Sequence, residues 1–289
     1  MDFHVGPEHF REPGAPLGGA QCTVAVGGHS VRFSGLSPEL HEAVLSRYAL
    51  FLSEIPPLHT VTLCAGAPAY LAPAPDGYLR LEETQRGEGR ILLSTGMAGF
   101  WPSGGRDGLL RLSQPGNARF ALMFLENYLR WVIADLALER GGFVLHCAGL
   151  VRGGKAYLFF GPSGAGKTTV AGLSGDHILL SDDLVLLTRG ADGWRASTTP
   201  FWGALAQELK DLGTYPLAGL YRLIQAPQHA LRPVSGALAV GMVAACCPFV
   251  SDPAQRHDKL LPLVEECSRS VGVQELRFKK DPGFWDLIA

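Results

Sequence analysis

The run Gly161-Pro162-Ser163-Gly164-Ala165-Gly166-Lys167-Thr168, followed by Thr169, fits the spacing G-x-x-x-x-G-K-[ST] at every fixed position. The chemistry it suggests is phosphate binding. Glycines let the backbone curl so that successive N–H groups point into one concavity, and with the start of a following helix they make a nest for anions. A lysine placed as Lys167 is reaches the β- and γ-phosphates of a nucleotide, and a hydroxyl placed as that of Thr168 can ligate Mg²⁺. The candidate nucleotide-binding residues are therefore Gly161, Pro162, Ser163, Gly164, Ala165, Gly166, Lys167, Thr168 and Thr169. Lysine is scarce, with six against 19 arginines and none before Lys155, so a lysine inside a motif stands out.

A nucleotide site also needs carboxylates, and Asp182-Asp183 lies 15 and 16 residues after Lys167, at the end of the apolar run Ile178-Leu179-Leu180-Ser181. That interval has room for one short helix and one strand, which would return the carboxylates to the side of the loop. Adjacent residues of a strand point to opposite faces, but at a strand end or a bulge both can turn toward one ligand. One of the two aspartates could then hold Mg²⁺ while the other accepts the proton of an attacking hydroxyl. His146 sits in the run Leu145-His146-Cys147-Ala148, 15 residues before Gly161, on a strand expected beside the one leading into the loop. Its alternative role is that of a hydrogen-bonded core histidine.

The elements that must position these groups can be read from periodicity and from breakers. Two apolar runs, Phe143–Val151 and Lys155–Phe160, are joined by Arg152-Gly153-Gly154 and predict a hairpin whose second strand feeds Gly161. A brief helix should follow the loop, then strands at Ile178–Leu180 and Leu184–Leu187. A turn at Ala191-Asp192-Gly193 leads to a strand at Trp194–Ser197, and Thr199–Gly203 is a loop. Beyond it the pattern predicts strands near Leu220–Ile224 and Val273–Phe278, helices near Val234–Ala245 and Pro253–Cys267, and a turn at Phe284-Trp285. Upstream, Asn117–Glu139 reads as a long core helix, stopped by Arg140-Gly141-Gly142. From Met1 to Gly116 the chain is β-rich, with strands at Gln21–Val26, Ser30–Phe33, His59–Cys64, Tyr78–Leu81 and Arg90–Leu93. One helix starts there at Ser37-Pro38 and runs to about Leu52, and surface turns are expected at Leu71–Gly77 and Trp101–Gly105. The expected division is a β-rich amino-terminal region, 1–116, that could recognise substrate, and a phosphate-loop domain, 117–289. No internal repeat is present.

Composition bounds the rest. With 289 residues, 47% hydrophobic and 18% charged, the chain can bury a core of its own and lacks the signature of disorder. Its 25 basic and 27 acidic residues nearly cancel, without like-charge blocks, which argues against a nucleic-acid or anionic-membrane surface. The helix at Asn117–Glu139 is interrupted by Arg119, Glu126, Arg130 and Asp135, so it does not read as a membrane span. Met1–Pro7 has neither the basic start nor the apolar run of a secretory signal, and the expectation is a cytoplasmic protein. Six cysteines, without C-x-x-C or zinc-type spacing, are expected as reduced thiols, mostly buried.

Taken together, His146-Cys147-Ala148-Gly149-Leu150, the run Tyr157–Phe160 into Gly161, Leu180-Ser181-Asp182-Asp183 and the segment Trp194–Gly203 resemble the catalytic domain of HPr serine kinase/phosphorylase and its relatives. The resemblance is close over about Phe143–Gly203, looser over the rest of the carboxy-terminal half, and absent from Met1–Gly116. It implies the fold shared with phosphoenolpyruvate carboxykinase: an α/β (α+β) domain with a mixed, largely antiparallel sheet around a P-loop. It also implies ATP-dependent phosphorylation of a hydroxyl, with His146 as an active-site histidine, Lys167 and Thr168 on phosphate and metal, Asp182 as the acid/base and Asp183 on Mg²⁺. The arginine- and glycine-rich segment tied to phosphorolysis has no counterpart, and the amino-terminal half is unlike the regulatory domain, so HPr is not the expected substrate. Arg222 and Arg232 are the further basic candidates. The expectation is a Mg·ATP-dependent kinase acting on a Ser or Thr hydroxyl of a peptide or protein, compatible with a homo-oligomer. The alternatives are a kinase for a small serine-like molecule and a nucleotide-binding module without chemistry. A carboxykinase lyase fits least.

Overall fold

The chain forms mixed α/β structure, with two mostly antiparallel sheets and five α-helices among the described residues. The computed structural model describes residues 5–12, 14–73, 79–203, 212–249 and 255–288. It divides into two units, Met1–Ile133 and Ala134–Ala289, and none of its described helices is long and apolar enough to cross a membrane.

In the first unit, β1 (Ala20–Val26) and β2 (His29–Leu36) form a hairpin, followed by α1 (Pro38–Arg47), β3 (His59–Ala65), β4 (Glu82–Arg86), β5 (Gly89–Ser94), β6 (Met97–Pro102) and β7 (Asp107–Leu112). The seven strands order as β1-β2-β3-β7-β6-β5-β4, parallel at β2/β3 and β3/β7 and antiparallel elsewhere. The hairpin turn is Gly27-Gly28, with φ of 52° and 80°, the left-handed pair that a tight hairpin requires. Ser37 caps α1 by accepting from the Leu40 amide at 3.3 Å, with Pro38 in the first turn. Tyr48 leaves helical geometry at φ −112°, so α1 stops before the expected Leu52 and a short 3-10 turn, Ala49–Phe51, carries the rest.

The turn expected at Trp101–Gly105 is displaced. Trp101 and Pro102 end β6, and Trp101 is buried with its ring edge-on to Trp131 and the Arg90 guanidinium 4.7 Å from its centre. Burial of the indole outweighs the Pro/Gly signal, and Pro is tolerated at a strand end. Tyr78 and the part of the Leu71–Gly77 turn from Ala74 onward lie outside the described residues, as do Met1–His4. The strand near that point is β4, whose Glu82-Glu83-Thr84-Gln85-Arg86 has no apolar alternation to reveal it. α2 (Ala118–Glu139) has the expected limits, with Asn117 accepting from the Phe120 amide at 3.1 Å. The boundary between the two units falls within this helix, at Ile133/Ala134.

The second unit contains β8 (Phe143–Arg152), β9 (Lys155–Phe160), α3 (Lys167–Gly172), β10 (Ile178–Ser181), β11 (Leu184–Gly190), β12 (Gly193–Ser197), β13 (Thr214–Gln225), β14 (Ala230–Val234), α4 (Gly236–Ala244), α5 (Gln255–Val271) and β15 (Val273–Phe278). The hairpin β8/β9 turns on Gly153-Gly154, at φ 56° and 74°. β9 lies between antiparallel β8 and parallel β13, and the pairings β8–β11, β11–β12, β12–β13, β13–β9 and β9–β8 close a ring. β15 adds parallel to β13, and β14 adds antiparallel to β15.

Both faces of this sheet are covered, which is why its strands read as unbroken apolar runs. Ala156, Leu158 and Phe160 of β9 pack in one cluster with Ala239 and Val243 of α4 and Leu260, Val264 and Cys267 of α5. Tyr157 and Phe159 pack in the other with Val170 of α3 and the terminal Phe284 and Trp285. The strand near Leu220–Ile224 is longer than expected. β14 was not expected, since Pro233 within it is a breaker except on an edge strand, which is where it lies. Pro253 and Ala254, expected to open α5, lie outside the described residues.

Candidate functional site

β9 delivers Phe160 straight into Gly161, and the loop that follows has the backbone its glycines permit. Gly164 and Gly166 adopt φ of 78° and 112°, a region closed to most side chains, and a Cβ on Gly166 would lie 2.6 Å from the Phe278 ring. The Ala165 amide donates to Pro162 O at 3.1 Å and the Val170 amide to Gly166 O at 2.9 Å, which closes the loop onto the first turn of α3. The Lys167 ammonium crosses the loop and donates to the carbonyl oxygens of Gly161 and Pro162, at 2.9 and 3.3 Å.

The acidic pair sits where β10 gives way to β11. Both strands run antiparallel to β8 along one edge, with a register shift between Leu179 and Ser181, and Asp182-Asp183 fill the break between them. Ser181 builds that break: its hydroxyl donates to Phe201 O and accepts the amides of Asp183 at 3.0 Å and Leu184 at 3.1 Å. Asp182 is only 4% exposed, and its Oδ1 accepts the Gly203 amide at 2.8 Å. The Cys147 amide donates to Asp183 O at 2.9 Å, tying the break to β8. His146 Nδ1 approaches Asp183 Oδ1 at 3.4 Å, and its side chain is 43% exposed. The histidine is thus at the carboxylates rather than sealed in the core.

One cavity of about 740 Å³ gathers these groups. His146, Asp182, Asp183 and every residue from Gly161 to Thr169 except the buried Ala165 line it. Gly203, Gln225, the segment Ala245–Pro248 and Lys280 line it as well, and sequence reasoning did not single them out for the site. Lys280 had one available signal, the scarcity of lysine. Arg222 and Arg232 are not among the lining residues: Arg222 reaches Glu275 at 3.8 Å, and Arg232 is paired across the strands with the same residue.

The thiols at and near the cavity are not poised as nucleophiles. Burial pushes Cys147, Cys246 and Cys247 upward, and the Lys167 charge only partly opposes this at Cys147 and Cys246. All six cysteines are free. Oxygen donors for a hard cation are at hand. The Thr168 hydroxyl and the Asp183 carboxylate face one cavity, a hard donor set that fits Mg²⁺, which takes one or two protein oxygens and completes its shell from phosphates and water. No curated protein matches the chain. Over residues 111–254, a stretch holding the loop, the acidic pair and the histidine, the chain is similar to the family described as SynChlorMet cassette protein ScmC.

Proposed function

We propose that this chain is a Mg·ATP-dependent kinase that transfers the γ-phosphoryl group to a Ser or Thr hydroxyl of a peptide or protein, related to HPr serine kinase. The observation that carries the reading is the convergence, in one cavity, of a complete G-x-x-x-x-G-K-T loop with Asp182, Asp183 and His146. The mixed sheet, with β9 between an antiparallel and a parallel neighbour, supports the kinship with the carboxykinase-type P-loop fold over the all-parallel one. The loop amides and Lys167 bind and orient the phosphates, the lysine exchanging two carbonyl partners for phosphate oxygens. Asp182, oriented by the Gly203 amide, accepts the proton of the acceptor hydroxyl. His146 steadies the Asp183 carboxylate. Mg²⁺, held by Thr168 and Asp183, supplies charge neutralisation on the phosphate oxygens.

The test is label transfer from γ-labelled ATP with Mg²⁺, offering free serine and a desalted lysate of the host to wild type and Asp182→Asn. The wild type is expected to label an acceptor, and the variant to transfer about a thousandfold more slowly while still binding nucleotide. A small labelled product would move the assignment to a serine-like metabolite kinase. Transfer by the variant at the wild-type rate would overturn the role of Asp182, and binding without label in the wild type would leave a nucleotide-binding module.

A further inference from the structure

Three strands parallel to one another, β9, β13 and β15, end at one edge of the sheet, and each brings residues to the phosphate cavity. β9 continues into Gly161. β13 ends at Gln225, whose Nε2 donates to Gly164 O at 2.8 Å and so holds the tip of the loop. β15 ends at Phe278, paired in register with Gln225, and its ring closes against Gly166. Lys280 follows two residues later and lines the same cavity as Lys167. Its neighbour Lys279 is held by Asp281 at 2.8 Å, whereas Lys280, exposed, forms no ion pair among the described residues.

The acidic pair lies on the other flank of the loop. Across the sheet the order is β10 and β11, then β8, β9, β13 and β15, with neighbouring strands about 4.8 Å apart. A polyphosphate that presents its reacting end to Asp182 and Asp183 must therefore run across the loop and away from β8, toward Gln225 and Lys280. Charge points the same way. Lys167 and Lys280 both line the cavity, which suits a polyanionic ligand.

We infer that Lys280 binds the phosphate at the nucleoside end of the ligand, so that the site takes a nucleoside di- or triphosphate gripped by two lysines, Lys167 of the loop and Lys280 beyond the end of β15. This rests on the nucleotide-binding part of the function proposed above. Lys280 is a binding residue for the reaction, and Gln225 holds the tip of the loop.

The experiment is calorimetric binding of Mg·ATP, Mg·ADP and inorganic tripolyphosphate to the full chain, as wild type, Lys280→Gln and Lys280→Arg, at two salt concentrations. Lys280→Gln is expected to weaken all three ligands about tenfold and to flatten the salt dependence, with Lys280→Arg close to wild type and melting temperatures unchanged. Unchanged affinity overturns the inference. So does a loss confined to ATP, which would put Lys280 at the reacting end, or one that spares tripolyphosphate, which would put it on the nucleoside. A wild type that binds none of the three removes the kinase reading itself, a result distinct from each of these.

Discussion

Gly203 is the residue through which the proposed base is most easily disturbed. Its amide donates to Asp182 Oδ1 at 2.8 Å, and a Cβ placed there would sit 3.1 Å from Asp182 Oδ2. Gly203→Ala should therefore turn the carboxylate without emptying the phosphate loop. The expected outcome is a fall of about tenfold or more in kcat with ATP affinity within twofold of wild type, read from steady-state kinetics beside binding. An equal loss of ATP affinity would refute it. Far from this chemistry, His59 is fully buried, its Nε2 2.9 Å from the Tyr128 hydroxyl and its ring 4.4 Å from that of Trp101. Burial, helped by the Arg90 charge, lowers its pKa to about 3. The unfolded chain then carries the extra proton between pH 6.5 and 3, so stability is intact above this window and falls as pH drops through it, by about 3 kcal/mol at pH 4. Urea midpoints at pH 7, 5.5 and 4 should show that slope, and His59→Gln should flatten it; the same slope in the variant would assign it to other groups.

At the scale of elements, the break between β10 and β11 depends on a residue across from it. Gly149 of β8 faces Ser181, and a Cβ there would lie 2.7 Å from Val185 Cγ2 and 3.2 Å from Leu180 Cβ. Gly149→Ala should cost about 1–3 kcal/mol in urea unfolding, and it should lower phosphotransfer by displacing the acidic pair. A variant as stable and as active as the parent would show that the strands yield freely at this point. The hairpin β8/β9, the loop and the return of Asp182-Asp183 were legible in the sequence because each depends on neighbours within a few tens of residues: two glycines for the turn, a fixed spacing for the loop, one short helix and one strand for the return. β4 was not, because Glu82–Arg86 carries no apolar period, and β14 was not, because Pro233 is allowed by its edge position and by nothing local. Trp101 was misread as part of a turn for the converse reason, since aromatic burial outweighed the local signal at Pro102.

At the scale of the molecule, the candidate site joins segments that a linear reading cannot place together. His146, Gly161–Thr169, Asp182-Asp183, Gly203, Gln225 and Lys280 meet because β9 is bordered by β8 on one side and β13 on the other, and β13 by β15. That pairing order is non-local, so Gln225 and Lys280 carry no motif, whereas the loop and the acidic pair do. The ring of pairings through β8, β11, β12, β13 and β9 also has a consequence in solution. Amides of β9 are fenced on both edges, while β14 has a partner on one edge among the described residues. In heavy water the segment Lys155–Phe160 should take up deuterium only when the whole unit opens, and Ala230–Val234 should do so much earlier. The strand that carries the phosphate loop would then be the part of the molecule slowest to feel the solvent, a rigid stem beneath a site whose own contacts must change with each ligand bound.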